Sequence, residues 1–344
     1  MKFLYLLFLA FGFATSASAA PSPRFVGETD TVAQDQVRFA WPGTQILFRF
    51  RGTWLEVRFE DNGANSFAVE TDGKLSRLDL RHGAHFYRIA ENLPPGEHSL
   101  ILTRRTEGRL GVTLYQGAST DGALLPVMPR PRRILVLGDS ITAGYGIEGE
   151  NAQCQNQHMT YAARIARAFD ADLVVRAASG RGLIRNSDGS TTETLPAIME
   201  RIIPGEPRTA AAPMESPGII LINLGSNDFI AGVDKAEFEV HYTRLLTKLR
   251  ARYPSAWIYS MAGPFLEGEA AGSLALALQA SVEVRKKAGD RKLRYQPVTP
   301  LQENEKGCDA HPSLAAHRRI ATELSEAIQQ DAGWKPEEYH DQTK

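Results

Sequence analysis

Four short blocks in this chain hold residue types suited to acyl transfer. Gly138-Asp139-Ser140 follows the apolar run 134–137, and Ser179-Gly180-Arg181-Gly182 follows a second apolar run. Gly225-Ser226-Asn227-Asp228 follows a third, and Asp309-Ala310-His311-Pro312 comes shortly before the last amphipathic stretch. A serine hydroxyl attacks well only when a base removes its proton, and histidine titrates in the right range. Ser140 and His311 are therefore the candidate nucleophile and base. Attack on an ester puts negative charge on the carbonyl oxygen, which fixed donors must meet. The backbone N–H of Ser140, the backbone N–H of Gly180 and the side-chain amide of Asn227 are the candidates. Glycine at 180 removes a Cβ from the path of the substrate. The structural alternatives are local: Ser140 as a helix N-cap, Asn227 as a turn residue, Asp139 as a turn former and Asp228 as a cap.

These blocks need a scaffold that brings them to one edge. From about residue 134 to 330, apolar runs alternate with amphipathic stretches. Strands are expected at ILVL, DLVVRAAS, GIILINLG, AWIYSMAG and KLRYQPV, and helices at 159–170, near 194–203, at 235–253, at 272–289 and at 313–330. Continuous apolar strands between helices indicate a doubly wound α/β parallel sheet covered on both faces. Reactive groups in such folds gather beyond the carboxyl ends of the strands, where all four blocks fall.

The preceding segment, 24–122, reads differently. Ile46, Phe48 and Phe50 alternate with Leu47, Arg49 and Arg51, and Leu55, Val57 and Phe59 alternate with Glu56, Arg58 and Glu60. Period-two patterning broken by turn signals predicts an antiparallel β-sandwich of jelly-roll type. Its aromatic residues are expected in the core, Trp41 and Trp54 included, with stacking on sugar rings the alternative for those two. The proline-rich stretch 123–133 reads as a linker, and 331–344 as a flexible tail.

The chain has 344 residues and a formal net charge of −1, which gives no basis for a nucleic-acid partner. At the N-terminus, Lys2 precedes an apolar block ending at Phe13, and Ala17-Ser18-Ala19 fits a cleavage site. Residues 1–19 therefore read as a signal peptide, with a secreted or periplasmic destination and no membrane span in the mature protein. Cys154 and Cys308 are the two cysteines. In an oxidising compartment they are expected to pair as a disulfide, tying the loop after Ser140 to the loop of His311, with two separate thiols the alternative.

The strings GDSITAGYG and LGSNDF, with the other two blocks in order, resemble the SGNH (GDSL-type) hydrolases, a superfamily of esterases and lipases. By that resemblance Ser140 is the nucleophile, Gly180 and Asn227 complete the oxyanion hole with Ser140, and His311 is the base. Most of that superfamily carries aspartate three residues before the histidine. Here that position is Cys308, and the aspartate is Asp309. The D-x-H spacing, the strings ITAGYG and SGRGL, and the leading β-sandwich are similar to carbohydrate esterase family 2. That likeness implies removal of O-acetyl groups from an acetylated polysaccharide or oligosaccharide, with no metal or organic cofactor. Asp309 is then the expected third catalytic member, and a backbone carbonyl is the alternative known in that family. Two other functions stay open: an esterase on a lipid or an O-acetylated cell-wall glycan, and a glycan-binding protein without catalysis.

Overall fold

The computed structural model describes residues 23–148, 154–207 and 214–337. The expected signal peptide lies outside the described residues. Eleven strands build the N-terminal domain: β1 (Arg24–Val26), β2 (Asp30–Ala33), β3 (Gln36–Phe39), β4 (Gln45–Gly52), β5 (Leu55–Asp61), β6 (Ser66–Thr71), β7 (Lys74–Asp79), β8 (Gly83–Ala90), β9 (Gly96–Arg104), β10 (Thr113–Thr120) and β11 (Ala123–Leu125). One antiparallel sheet runs β1-β4-β9-β6-β7, with β11 also on β4, and the other runs β2-β3-β10-β5-β8. Phe39, Phe59 and Tyr115 from the second sheet pack with Ile46, Phe50 and Phe67 from the first. The alternating strands thus bury one face each in a shared sandwich core, as the sequence pattern predicts.

The second domain holds five parallel strands in the order β13-β12-β14-β15-β16. They are β12 (Arg132–Gly138), β13 (Ala171–Ala177), β14 (Ile219–Asn223), β15 (Trp257–Met261) and β16 (Leu293–Gln296). Among the described residues, seven α-helices accompany them: α1 (Ser140–Ala143), α2 (Tyr161–Ala168), α3 (Leu195–Ile198), α4 (Ser226–Ile230), α5 (Lys235–Arg252), α6 (Gly268–Lys287) and α7 (Leu314–Ala332). Leu135 and Leu137 face the layer of α5 and α6. Ile134 and Val136 face the layer of α2 and α7. One apolar strand therefore feeds two cores, which is why its sequence shows no polar alternation. α2 and α5 begin at Thr160 and Asp234, whose side chains accept first-turn N–H groups.

Three expectations need correction. The stretch 123–133 is not all linker, because Ala123–Leu125 pairs with β4. The segment after 330 is docked as far as residue 337. Asp331 and Ala332 complete α7, and the Trp334 ring meets Phe169 edge-on at 5.7 Å. Arg132 lies over that ring, and the Glu337 N–H donates to the Ala168 carbonyl at 2.8 Å. An aromatic anchor and main-chain bonds outweigh the polar composition; residues 338–344 lie outside the described residues. The helix expected near 194–203 is a single turn, α3. Beyond it the Arg201 carbonyl accepts the indole N–H of Trp41 at 2.9 Å, a bond to the other domain instead of a further helical turn.

Candidate active site

β12 ends at Gly138, and Asp139 caps the short α1 by accepting the Ile141 N–H at 3.1 Å. Ser140 is the first residue of that helix, so its main-chain N–H is among those left without an intrahelical acceptor. Its Oγ lies 2.8 Å from His311 Nε2. The other ring nitrogen, Nδ1, lies 3.0 Å from the main-chain oxygen of Asp309. The imidazole is therefore oriented by a backbone carbonyl, which accepts from Nδ1–H and leaves Nε2 to take the serine proton.

This corrects the assignment of Asp309 as the third member of a triad. Its carboxylate accepts the Tyr145 hydroxyl hydrogen bond at 2.5 Å. Asp309 and Ala310 both adopt left-handed backbone, with φ of 49° and 57°. Only one residue separates Asp309 from His311, and this reversal turns the carbonyl, not the side chain, toward the ring. Strained backbone of this kind is uncommon outside glycine and gathers at functional sites. The bond to Asp309 pushes the Tyr145 hydroxyl up to about 12. The imidazole sits between two aromatic rings, Tyr145 at 4.8 Å and Phe265 at 4.7 Å. Burial holds His311 below its ordinary value of 6.5, against the upward pull of Asp309 and Glu107.

Gly180 and Asn227 share a cleft of about 280 Å³ with Ser140 and His311. Gly180 stands at φ +75°, a conformation that strains any residue with a Cβ. Asn227 Nδ2 donates one hydrogen to the Arg181 carbonyl at 2.9 Å. An amide carries two such hydrogens, so a second can be offered to a substrate oxygen. Asp228 is buried and does not cap the segment after it. Its carboxylate accepts the N–H groups of Leu183, Ile184 and Arg185 at 2.8, 2.7 and 2.9 Å. That staples the loop after Gly180 to the block of Asn227. Burial raises the Asp228 pKa, and it pushes Asp139 up to about 7.

Gly146 sets the distance between the loop after Ser140 and the loop of His311. A Cβ there would come within 2.4 Å of His311 Cβ, so only glycine lets these loops touch. The Cys308 N–H donates to the Gly146 carbonyl at 3.1 Å. Cys154 and Cys308 stand as neighbours but as free thiols, without the expected bond. Burial and the adjacent Cys154 push the Cys308 thiol up to about 11.

The two halves of this architecture match two family models. Residues 25–129 match the carbohydrate esterase 2 N-terminal model, and residues 136–319 match the GDSL-like lipase/acylhydrolase model. The chain belongs to the GDSL-like lipase/acylhydrolase family. It is 31% identical over 329 residues to the cellulase/esterase CelE of Acetivibrio thermocellus, covering 91% of this chain but only 40% of that longer protein. It is 28% identical to an acetylxylan esterase/glucomannan deacetylase of Cellvibrio japonicus, covering 93% of this chain and 92% of that one. A solved family two carbohydrate esterase from Clostridium thermocellum, in complex with cellohexaose, is similar over 91% of this chain and 100% of its own, with 29% identity and a TM-score of 0.87. The pairing of an antiparallel domain with a parallel acylhydrolase domain is thus that of the family 2 carbohydrate esterases.

In this family member two groups at the cleft carry no signal in the sequence, both from the N-terminal domain. Arg109 lines it beside Tyr145, its guanidinium 5.8 Å from the ring centre. Glu107 lies behind it, bonded to Ser179. No local pattern marks either residue, because besides each other the partners of their side chains, Ser179, Gln155 and Tyr145, come from the other domain. His317, on α7, is fully buried and stacks on Tyr161. Its Nδ1 accepts the Tyr161 N–H at 3.1 Å, which ties α7 to α2. Burial pushes its pKa down to about 3.

Proposed function

We propose that this protein is an exported serine esterase that removes O-acetyl groups from a plant-type polysaccharide through an acyl-Ser140 intermediate. The 2.8 Å contact between Ser140 Oγ and His311 Nε2 carries the reading. In this mechanism His311 takes the serine proton as Oγ attacks the acetyl carbonyl. The developing oxyanion is met by N–H groups of Ser140, Gly180 and Asn227. His311 then returns the proton to the departing sugar hydroxyl, and water repeats the sequence to release acetate. A base held below 6.5 is neutral at pH 7 and ready to accept. The named activities of the Cellvibrio relative and the cellohexaose bound to the Clostridium structure support a glycan substrate. Lys2, the apolar block to Phe13 and Ala17-Ser18-Ala19 support export.

Acetate release from acetylated xylan, acetylated glucomannan and an O-acetylated cell-wall glycan tests the proposal, alongside nitrophenyl esters of increasing chain length. Acetyl esters should be the best substrates, and Ser140→Ala should lose on the order of 10³-fold or more in kcat. A preference for long acyl chains would overturn the deacetylase reading. Undiminished turnover by Ser140→Ala would overturn the mechanism.

A further inference from the structure

Glu107 is a buried charged group of the N-terminal domain that bonds to Ser179, the residue before Gly180 in the second domain. It lies between β9 and the short turn Gly108–Leu110, and only 1% of it is exposed. A buried carboxylate is costly unless its oxygens are met by donors. Here Oε1 accepts from Ser179 Oγ at 2.7 Å, Gln155 Nε2 at 2.7 Å and Arg109 Nε at 2.8 Å. Oε2 accepts the Ser179 main-chain N–H at 2.7 Å. The Glu107 N–H donates to Gln155 Oε1 at 3.1 Å, closing a ring with the segment next to Cys154.

Two of these four donors belong to Ser179, the residue just before Gly180. Gripping both its N–H and its hydroxyl fixes the Ala178–Ser179 peptide and the Ser179 side chain, one bond rotation away from the Ser179–Gly180 peptide. That peptide carries the Gly180 N–H. On the far side, the Gly180 carbonyl accepts the Ser187 N–H at 2.9 Å, so the loop is held from both ends. The platform beneath Glu107 is rigid as well. Arg104 is fully buried and donates to the carbonyls of Thr106 at 3.0 Å and Gly111 at 2.6 Å. It also donates to Thr113 Oγ1 at 2.7 Å and Asn65 Oδ1 at 2.6 Å. Donors that stabilise an oxyanion act only when held in place before the reaction, and about 1 Å of misplacement costs on the order of 10²-fold.

We propose that Glu107 is a positioning residue, supplied by the N-terminal domain, that aims the Gly180 N–H into the oxyanion hole through Ser179. It acts through Ser179 and touches no reacting atom. The inference rests on Ser140 being an ester-attacking nucleophile.

The full chain is compared with its Glu107→Gln, Glu107→Ala and Ser179→Ala variants, each normalised by titration of reactive Ser140. Glu107→Gln keeps the shape of the side chain but replaces an acceptor with an N–H₂ group facing donors. On nitrophenyl acetate, Glu107→Gln and Glu107→Ala should lose about 10²-fold in kcat with KM within about threefold. Ser179→Ala keeps the main-chain bond and should lose less than about tenfold. Phosphonylation of Ser140 by a nitrophenyl phosphonate should slow in parallel, since its transition state uses the same donors. Per-site kcat and phosphonylation rates within about twofold of the parent in Glu107→Gln would overturn the proposal, as would a loss confined to KM or to the fraction of titratable sites. Phosphonylation does not require an acetyl substrate. A parent that phosphonylates but leaves acetyl esters intact would end the deacetylase reading, while the Glu107 comparison would still be decided by the phosphonate.

Discussion

At the scale of single residues, His311, the base of the proposed mechanism, is tuned by burial and aimed by a carbonyl. Because burial holds His311 below 6.5, its neutral form persists to lower pH than that of a free histidine. The working form is the neutral one, so kcat/KM should stay level through pH 7 and fall only as pH drops through a midpoint below 6.5. A pH profile with its acid midpoint above about 7 would contradict this. The role of Asp309 gives a second prediction. Since His311 Nδ1 meets its main-chain oxygen, Asp309→Asn keeps the orienting acceptor, and asparagine also tolerates the left-handed backbone. Its kcat/KM on nitrophenyl acetate should stay within about tenfold of the parent, whereas replacing an orienting carboxylate costs about 10⁴. A loss of that larger size would show the carboxylate swinging in to the ring during turnover.

At the scale of elements, the site is built by four loops leaving the carboxyl edge of one parallel sheet, each fastened to another. Gly146 joins the loop after Ser140 to the loop of His311, and Asp228 joins the Asn227 block to the loop after Gly180. Cys154 and Cys308 lie across the first of these joints. We propose that export into an oxidising compartment converts the neighbouring thiols to a disulfide. Protein recovered from such a compartment should gain about 2 Da on reduction and lose up to about 3–5 kcal/mol of stability in urea titration. An unchanged mass would leave the bridge without support. The strands and long helices were legible because one-faced and two-faced burial write different periods into the sequence. The Ser140, Gly180, Asn227 and His311 blocks were legible because each directly follows a strand or precedes a helix. The orienting oxygen was not legible, since Asp309 offers two kinds of acceptor and only the backbone turn at 309–310 selects one. Glu107 and Arg109 were hidden because their work depends on contacts with another domain, which no local spacing encodes.

At the scale of the whole molecule, the N-terminal domain is part of the second domain's packing. Trp41 belongs to the β-sandwich chain segment but is 1% exposed within the core of α3, α5 and the parallel sheet. Strand β13, at the edge of that sheet, carries Asp172 and Arg176 among apolar residues, and both are buried. Arg24 donates to Asp172 at 3.0 Å, and Arg176 donates to Glu28 at 3.0 Å. These pairs with the N-terminal domain explain an apolar strand interrupted by polar residues. A domain pair joined through a shared core should unfold as one unit. Trp41→Ala removes a large buried ring and orphans the Arg201 carbonyl, and should cost about 3–5 kcal/mol. Trp41→Phe keeps most of the packing and should cost less, about 1–3 kcal/mol for the lost hydrogen bond. Urea titrations followed by far-ultraviolet circular dichroism and by tryptophan fluorescence should give coincident transitions in the parent. Separate transitions for the two domains, or a Trp41→Ala midpoint equal to that of the parent, would show that the sandwich is only tethered. In that case Glu107 would lack the rigid base from which it is proposed to hold Ser179.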